Sequence, residues 1–162
     1  MVSSLINGTS RVNEQNIHSL SEIETILDQL KARELLVVNP RRKNGLIVCK
    51  KYHAEFAGPG AIVGGQFDFN TIDIIPVGDM SLIRPKTIED RKQAYKMRRQ
   101  WVRLTKQIID NPSSTERAQV ILNQFEHWFD AETVAKLPDE VFALLVGVLP
   151  QTIRKVRNAE LL

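Results

Sequence analysis

The chain is poor in several residue types that carry structure or chemistry in proteins of its size. Its 162 residues include one cysteine, Cys49, so neither an internal disulfide nor a cysteine-based zinc site can form. The three histidines, His18, His53 and His127, are scattered without metal-ligand spacing. No apolar run approaches the ~18 residues that a membrane helix requires. The first residues lack the basic start and sustained apolar stretch of a signal peptide. These absences predict a cytoplasmic chain with no metal, no cofactor and no membrane partner. No serine, cysteine or carboxylate pair stands in a recognisable catalytic setting, so no catalytic residue and no enzyme activity are expected. Asp68 with Asp73, and His53 with Glu55, read as solvated side chains. The glycine-rich stretch 57–65 lacks the lysine and hydroxyl of a phosphate loop and the spacing of a dinucleotide loop, and reads as a structural turn.

What the chain does have is enough apolar content for a core, 43%, and an uneven charge. Residues 81–110 hold nine basic and three acidic side chains, whereas 1–80 hold eight and nine, and 111–162 hold five and seven. A local basic stripe bears more directly on nucleic-acid binding than the net charge of +3 does.

Local patterning predicts an α+β chain in three parts. Residues 1–85 form a small N-terminal α/β-hairpin-containing region, 86–111 a long central helix, and 112–162 an all-α helix-turn-helix domain. Residues 1–18 read as a polar arm. Ser21 opens a helix with Ile23, Ile26, Leu27 and Leu30 on one face. The β-prone runs 34–38 and 46–52 flank a loop ending in Asn44-Gly45, which suggests a hairpin, with Cys49 a buried thiol in its second strand. Residues 71–77 read as a further strand, and Pro76 favours its end or a sheet edge.

From Thr87 to Asp110 the period becomes helical. Ala94, Met97, Trp101, Leu104 and Ile108 recur at spacings of 3, 4, 3 and 4. Such a stripe serves either an intrachain core or a homodimer seam. Arg98, Arg99, Arg103 and Lys106 lie off it, as candidate phosphate contacts. Asn111-Pro112 breaks the helix, and Ser113 with Glu116 fits a capping box for the next one. Its buried face would be Ala118, Ile121, Leu122 and Phe125.

The segment from Leu137 to Arg157 has the spacing of a helix-turn-helix. Ala143 permits close helix approach, and Gly147 can take the left-handed turn conformation. Val148, Ile153 and Val156 would pin the second helix to the first. Gln151, Thr152, Arg154, Lys155 and Arg157 would then face outward as candidate DNA contacts, with helix 150–158 in the major groove.

These residues, with Ser114-Thr-Glu-Arg117 and Leu137-Pro138 ahead of them, resemble the DNA-binding end of the Crp/Fnr family of bacterial regulators. The central helix occupies the place of that family's dimer helix. The resemblance covers residues 87–158. It implies a homodimeric, sequence-specific transcription regulator acting on double-stranded DNA, with residues 1–85 available to an unidentified effector or protein partner. Cyclic-nucleotide binding is not implied, because no arginine follows Gly64-Gly65-Gln66 until Arg84. The alternative is a non-enzymatic adaptor using the C-terminal helices and the basic central helix to bind another protein.

Overall fold

The computed structural model of the chain describes residues 20–160. The polar arm expected over residues 1–18, together with His18, lies outside them. The element order is helix α1 (Leu20–Lys31), strands β1 (Leu35–Val38), β2 (Asn44–Cys49), β3 (Ala54–Ala57) and β4 (Ile62–Gly64), a short 3-10 turn (Gly65–Phe67), and strands β5 (Asp73–Gly78) and β6 (Leu82–Ile83). Helices α2 (Ile88–Ile109), α3 (Ser114–Trp128), α4 (Ala131–Ala135), α5 (Asp139–Val146) and α6 (Pro150–Glu160) follow. This is the mixed α+β order expected, with strands first and helices after. Among the described residues no helix is long and apolar enough to cross a membrane.

The expected hairpin does not form. β1 is the centre of a three-stranded antiparallel sheet ordered β4-β1-β6, and β2 is the centre of a second, ordered β3-β2-β5. The loop between β1 and β2 therefore carries the chain from one sheet to the other. Asn44-Gly45 is not its turn but the first two residues of β2, paired with Gly78 and Val77. The fully buried Asn44 amide instead closes the loop. Its nitrogen donates to Asn39 O at 3.0 Å and Arg42 O at 2.9 Å, and its oxygen accepts from the Ser81 N–H at 3.0 Å. Turn-prone residues can fold a chain without making the turn a two-strand pattern implies. β2 is buried along its whole length, which explains its unbroken apolar run. Pro76 lies in β5, an edge strand, as a proline in a sheet favours. Cys49 is buried, and burial, followed by the charge of Asp73, pushes its thiol up to about 12.

Side-chain caps open both long helices, the one expected at Ser113 and a second at Thr87. Thr87 accepts from the Asp90 N–H at 3.0 Å, with the reciprocal bond completing a capping box for α2. Ser113 accepts from the Glu116 N–H at 3.2 Å, while the Glu116 carboxylate takes the Asn111 amide at 2.8 Å rather than the cap backbone.

One apolar core runs from Ile23 of α1 through the strands to Val156 of α6. The three-part division follows the order of elements along the chain, but the parts share this core. Phe56 of β3 is its joint. Its ring lies 5.3 Å from Trp101 on α2, 5.0 Å from Phe125 and 5.7 Å from Trp128 on α3. Phe125 in turn meets Phe142 of α5 edge-on at 5.1 Å, so aromatic packing links the sheets to the C-terminal helices.

Candidate functional site

The turn between the C-terminal helices falls at the glycine the sequence singles out. α5 ends at Gly147, whose φ of 66° and ψ of 44° are left-handed, and the Gly147 and Val148 N–H groups both reach back to Ala143 O. Ala143 is buried, as are Ile153 and Val156 on the inner face of α6, and Val148 packs against the same core. α6 thus lies on α3 and α5. Its start is framed by Leu149, which is 68% exposed and whose carbonyl accepts from Thr152 N at 3.0 Å.

Four of the five outward residues expected on α6 are accessible. Gln151, Arg154 and Lys155 are exposed, and Thr152 is half-buried. Arg157 departs from the expectation. Its guanidinium turns back to Val134 O at 3.0 Å, Leu137 O at 2.8 Å and the Asp139 carboxylate at 2.8 Å, and lies 4.8 Å above the Phe142 ring. Arg157 therefore ties the end of α4 to the start of α5, its fork of donors meeting two carbonyls and a carboxylate at once. Asp139 also takes Arg154 Nε at 3.4 Å, a looser contact with the Arg154 side chain 60% exposed.

A second arginine braces the turn itself. Arg117 of α3 donates from Nε to Val146 O at 3.1 Å, from Nη2 to Gly147 O at 3.3 Å and from Nη1 to Asn111 O at 2.6 Å. It joins the end of α2 to the end of α5. In the sequence Arg117 stands only as the end of the Ser114-Thr-Glu-Arg117 helix opening. Its sole signal was a fork of donors near a turn whose carbonyls needed partners.

The central helix is turned inward more than its charge suggested. Ala94 packs with Val37 and Ile62, and Ile108 belongs to the main core. Trp101 donates to Pro59 O at 3.3 Å and covers Gly58 so closely that a Cβ there would overlap the indole. Met97 lies against Gly60. The stripe expected as a dimer seam is thus occupied within one chain at Ala94, Met97, Trp101 and Ile108, and Leu104, 42% exposed, is the member left facing out.

Arg99, Arg103 and Lys106 are exposed, as phosphate contacts would be. Arg98 is not. It is buried, donating from Nη1 to Asp68 Oδ2 at 2.9 Å and to Ile62 O at 3.0 Å. Its Nη2 donates to Asp68 Oδ1 at 3.0 Å and reaches Glu55 Oε1 at 3.4 Å. Lys50, also buried, donates to Asp68 Oδ1 at 3.0 Å, to Asn70 Oδ1 at 2.8 Å and to Phe67 O. The Gly64 N–H completes the shell of Asp68 at 2.7 Å. Asp68 and Asp73, expected to be solvated, are both buried. His53 and Glu55 do meet, at 3.2 Å.

Burial alone would raise the Asp68 carboxyl. The hydrogen bonds and charge of Arg98, the Gly64 N–H and the charge of Lys50 outweigh it and hold the group below its ordinary value. Burial likewise opposes the charged form of Arg98, but Asp68 and then Glu55 raise it above its usual range. Each member has its counter-charge, so the network ties the 3-10 turn and β2 to α2.

Set against known proteins, the chain matches no family model, no curated protein and no solved structure.

Proposed function

We propose that the chain is a sequence-specific DNA-binding module that reads the major groove with α6, in the manner of a Crp/Fnr-like transcription regulator. The observation that carries this reading is the pairing of α5 and α6 across Gly147, with Ile153 and Val156 inside and Gln151, Arg154 and Lys155 outside. Arg154 and Gln151 suit guanine and adenine edges, Leu149 suits a thymine methyl, and Lys155 suits phosphate. Arg99, Arg103 and Lys106 are further candidates for phosphate. The proposal does not draw on Arg98 or Arg157, both of which are engaged within the chain. Nor does it draw on the central stripe for homodimerisation. A second copy would have to use a surface such as the one containing Leu104 and Ile109, which are 42% and 46% exposed.

One observation favours the adaptor reading: Asp139 sits against both Arg154 and Arg157 and reduces the positive charge of this face. Fluorescence anisotropy on random duplex DNA across a salt series separates the two. A DNA module neutralising four phosphates loses affinity with a log–log slope of about −3.6, since each phosphate contributes about −0.9. An adaptor shows no saturable, salt-dependent binding.

A further inference from the structure

A cleft of about 450 Å³ opens between the β1–β2 loop and the C-terminal end of α3. Arg41, Arg42 and Lys43 form its rim on one side, His127 on the other, and Trp101 and Trp128 lie in its wall. This volume falls within the range of small-molecule sites. We propose that the cleft binds a small organic anion with a flat apolar body, its charge on the Arg41–Lys43 rim and its ring against the tryptophans.

Three features favour a ligand site over a solvated loop. First, the loop carrying the cations is held in place. The buried Asn44 amide ties Asn39 and Arg42 together, and the Arg41 N–H donates to Asn39 Oδ1 at 3.0 Å. With the loop backbone held, an anion orders only the cationic side chains and not the loop itself. Second, the charge is only partly cancelled in place. Asp79 takes Arg42 at 3.3 Å and Asp130 lies near enough to feel Lys43, but Arg41 has no ion pair among the described residues. Third, the aromatic wall is rigid. Trp101 is anchored to Pro59 O, and the two indoles meet edge-on at 5.0 Å, while one face of Trp128 stacks on Phe56. Such a wall meets a flat ring with little rearrangement, and the cations select for a negative group.

The chain has two tryptophans, and both line this cleft, so intrinsic fluorescence reports its occupancy directly. Full-length protein is titrated with adenosine 5′-monophosphate and benzoate, which combine ring and charge as phosphate and carboxylate. Adenosine and inorganic phosphate, each carrying one half of that chemistry, are the controls. At least one ring-bearing anion should perturb the fluorescence saturably, about tenfold more tightly than either control, and Arg41→Ala/Lys43→Ala should abolish that margin. Both positions are exposed, and unchanged circular dichroism confirms that the variant is folded. The proposal is overturned if no probe saturates, if either control matches the ring-bearing anions, or if the double variant binds as the parent does.

Discussion

Arg98 and Asp68 face each other through two parallel hydrogen bonds, at 2.9 and 3.0 Å, beneath a helix whose basic residues were expected to face solvent. The pair fastens the 3-10 turn after β4 to α2, and Lys50 fixes the same carboxylate from β2. Removing one partner of a buried pair costs about 3–5 kcal/mol, because the other charge is left without compensation. Asp68→Asn should lower the unfolding free energy by an amount of that order, measured by urea denaturation at neutral pH.

The same pair sets an acid limit. The folded-state value of Asp68 lies below its ordinary value, so its stabilising contribution is complete above the ordinary carboxylate range. It is lost as pH falls through that range toward the lowered folded value. Stability measured from neutral pH down to about 2 should fall less steeply in Asp68→Asn than in the parent. Parallel curves would remove Asp68 from the acid response.

The central stripe supports the monomer's own core. Trp101→Ala deletes a side chain that packs on Phe56, Trp128 and Gly58, and large aromatic truncations cost about 3–5 kcal/mol. Thermal unfolding should shift downward by the same amount at low and high protein concentration. A loss that appears only on dilution would mean that the tryptophan holds two copies together.

The extent to which the sequence revealed this structure differed by element. α2 matched its expected bounds because a regular apolar stripe and the Asn111-Pro112 break are local signals. The α5–α6 turn was equally legible, since Ala143, Gly147 and Ile153 act over a few residues. Sheet pairing was not. β1 and β2 look like hairpin partners, yet β1 pairs with β4 and β6 and β2 with β3 and β5, and a loop signal such as Asn44-Gly45 does not say which sheet the next strand joins. The fate of individual arginines was also hidden. Arg98, Arg117 and Arg157 share their type with the exposed Arg99 and Arg103. What distinguishes them is an acceptor supplied by Asp68, by the end of α5 or by Asp139, brought near only by folding.

Gly147 offers a narrower test of the turn. Nothing lies within 4 Å of where its Cβ would stand, so substitution meets backbone strain and no clash. Gly147→Ala should cost about 1–2 kcal/mol, and Gly147→Asn less, because asparagine tolerates the left-handed region. A neutral Gly147→Ala in thermal denaturation would mean that the turn can relax into another conformation.

Cys49 should be unreactive toward a thiol reagent at pH 8 in the folded protein, since it is buried and its thiol titrates near 12. Labelling should track global unfolding as denaturant is added. Rapid labelling of native protein would show that the β2–β5 pair opens independently.

The central claim, that α6 reads DNA sequence, is tested most directly by selecting duplexes from a random library with the parent and with Arg154→Ala. The account predicts an enriched motif for the parent and a relaxed preference at one position for the variant, at a cost of about 1–3 kcal/mol on the selected site. Failure of the parent to enrich any motif, or an enrichment that Arg154→Ala and Lys155→Ala leave unchanged, would contradict it.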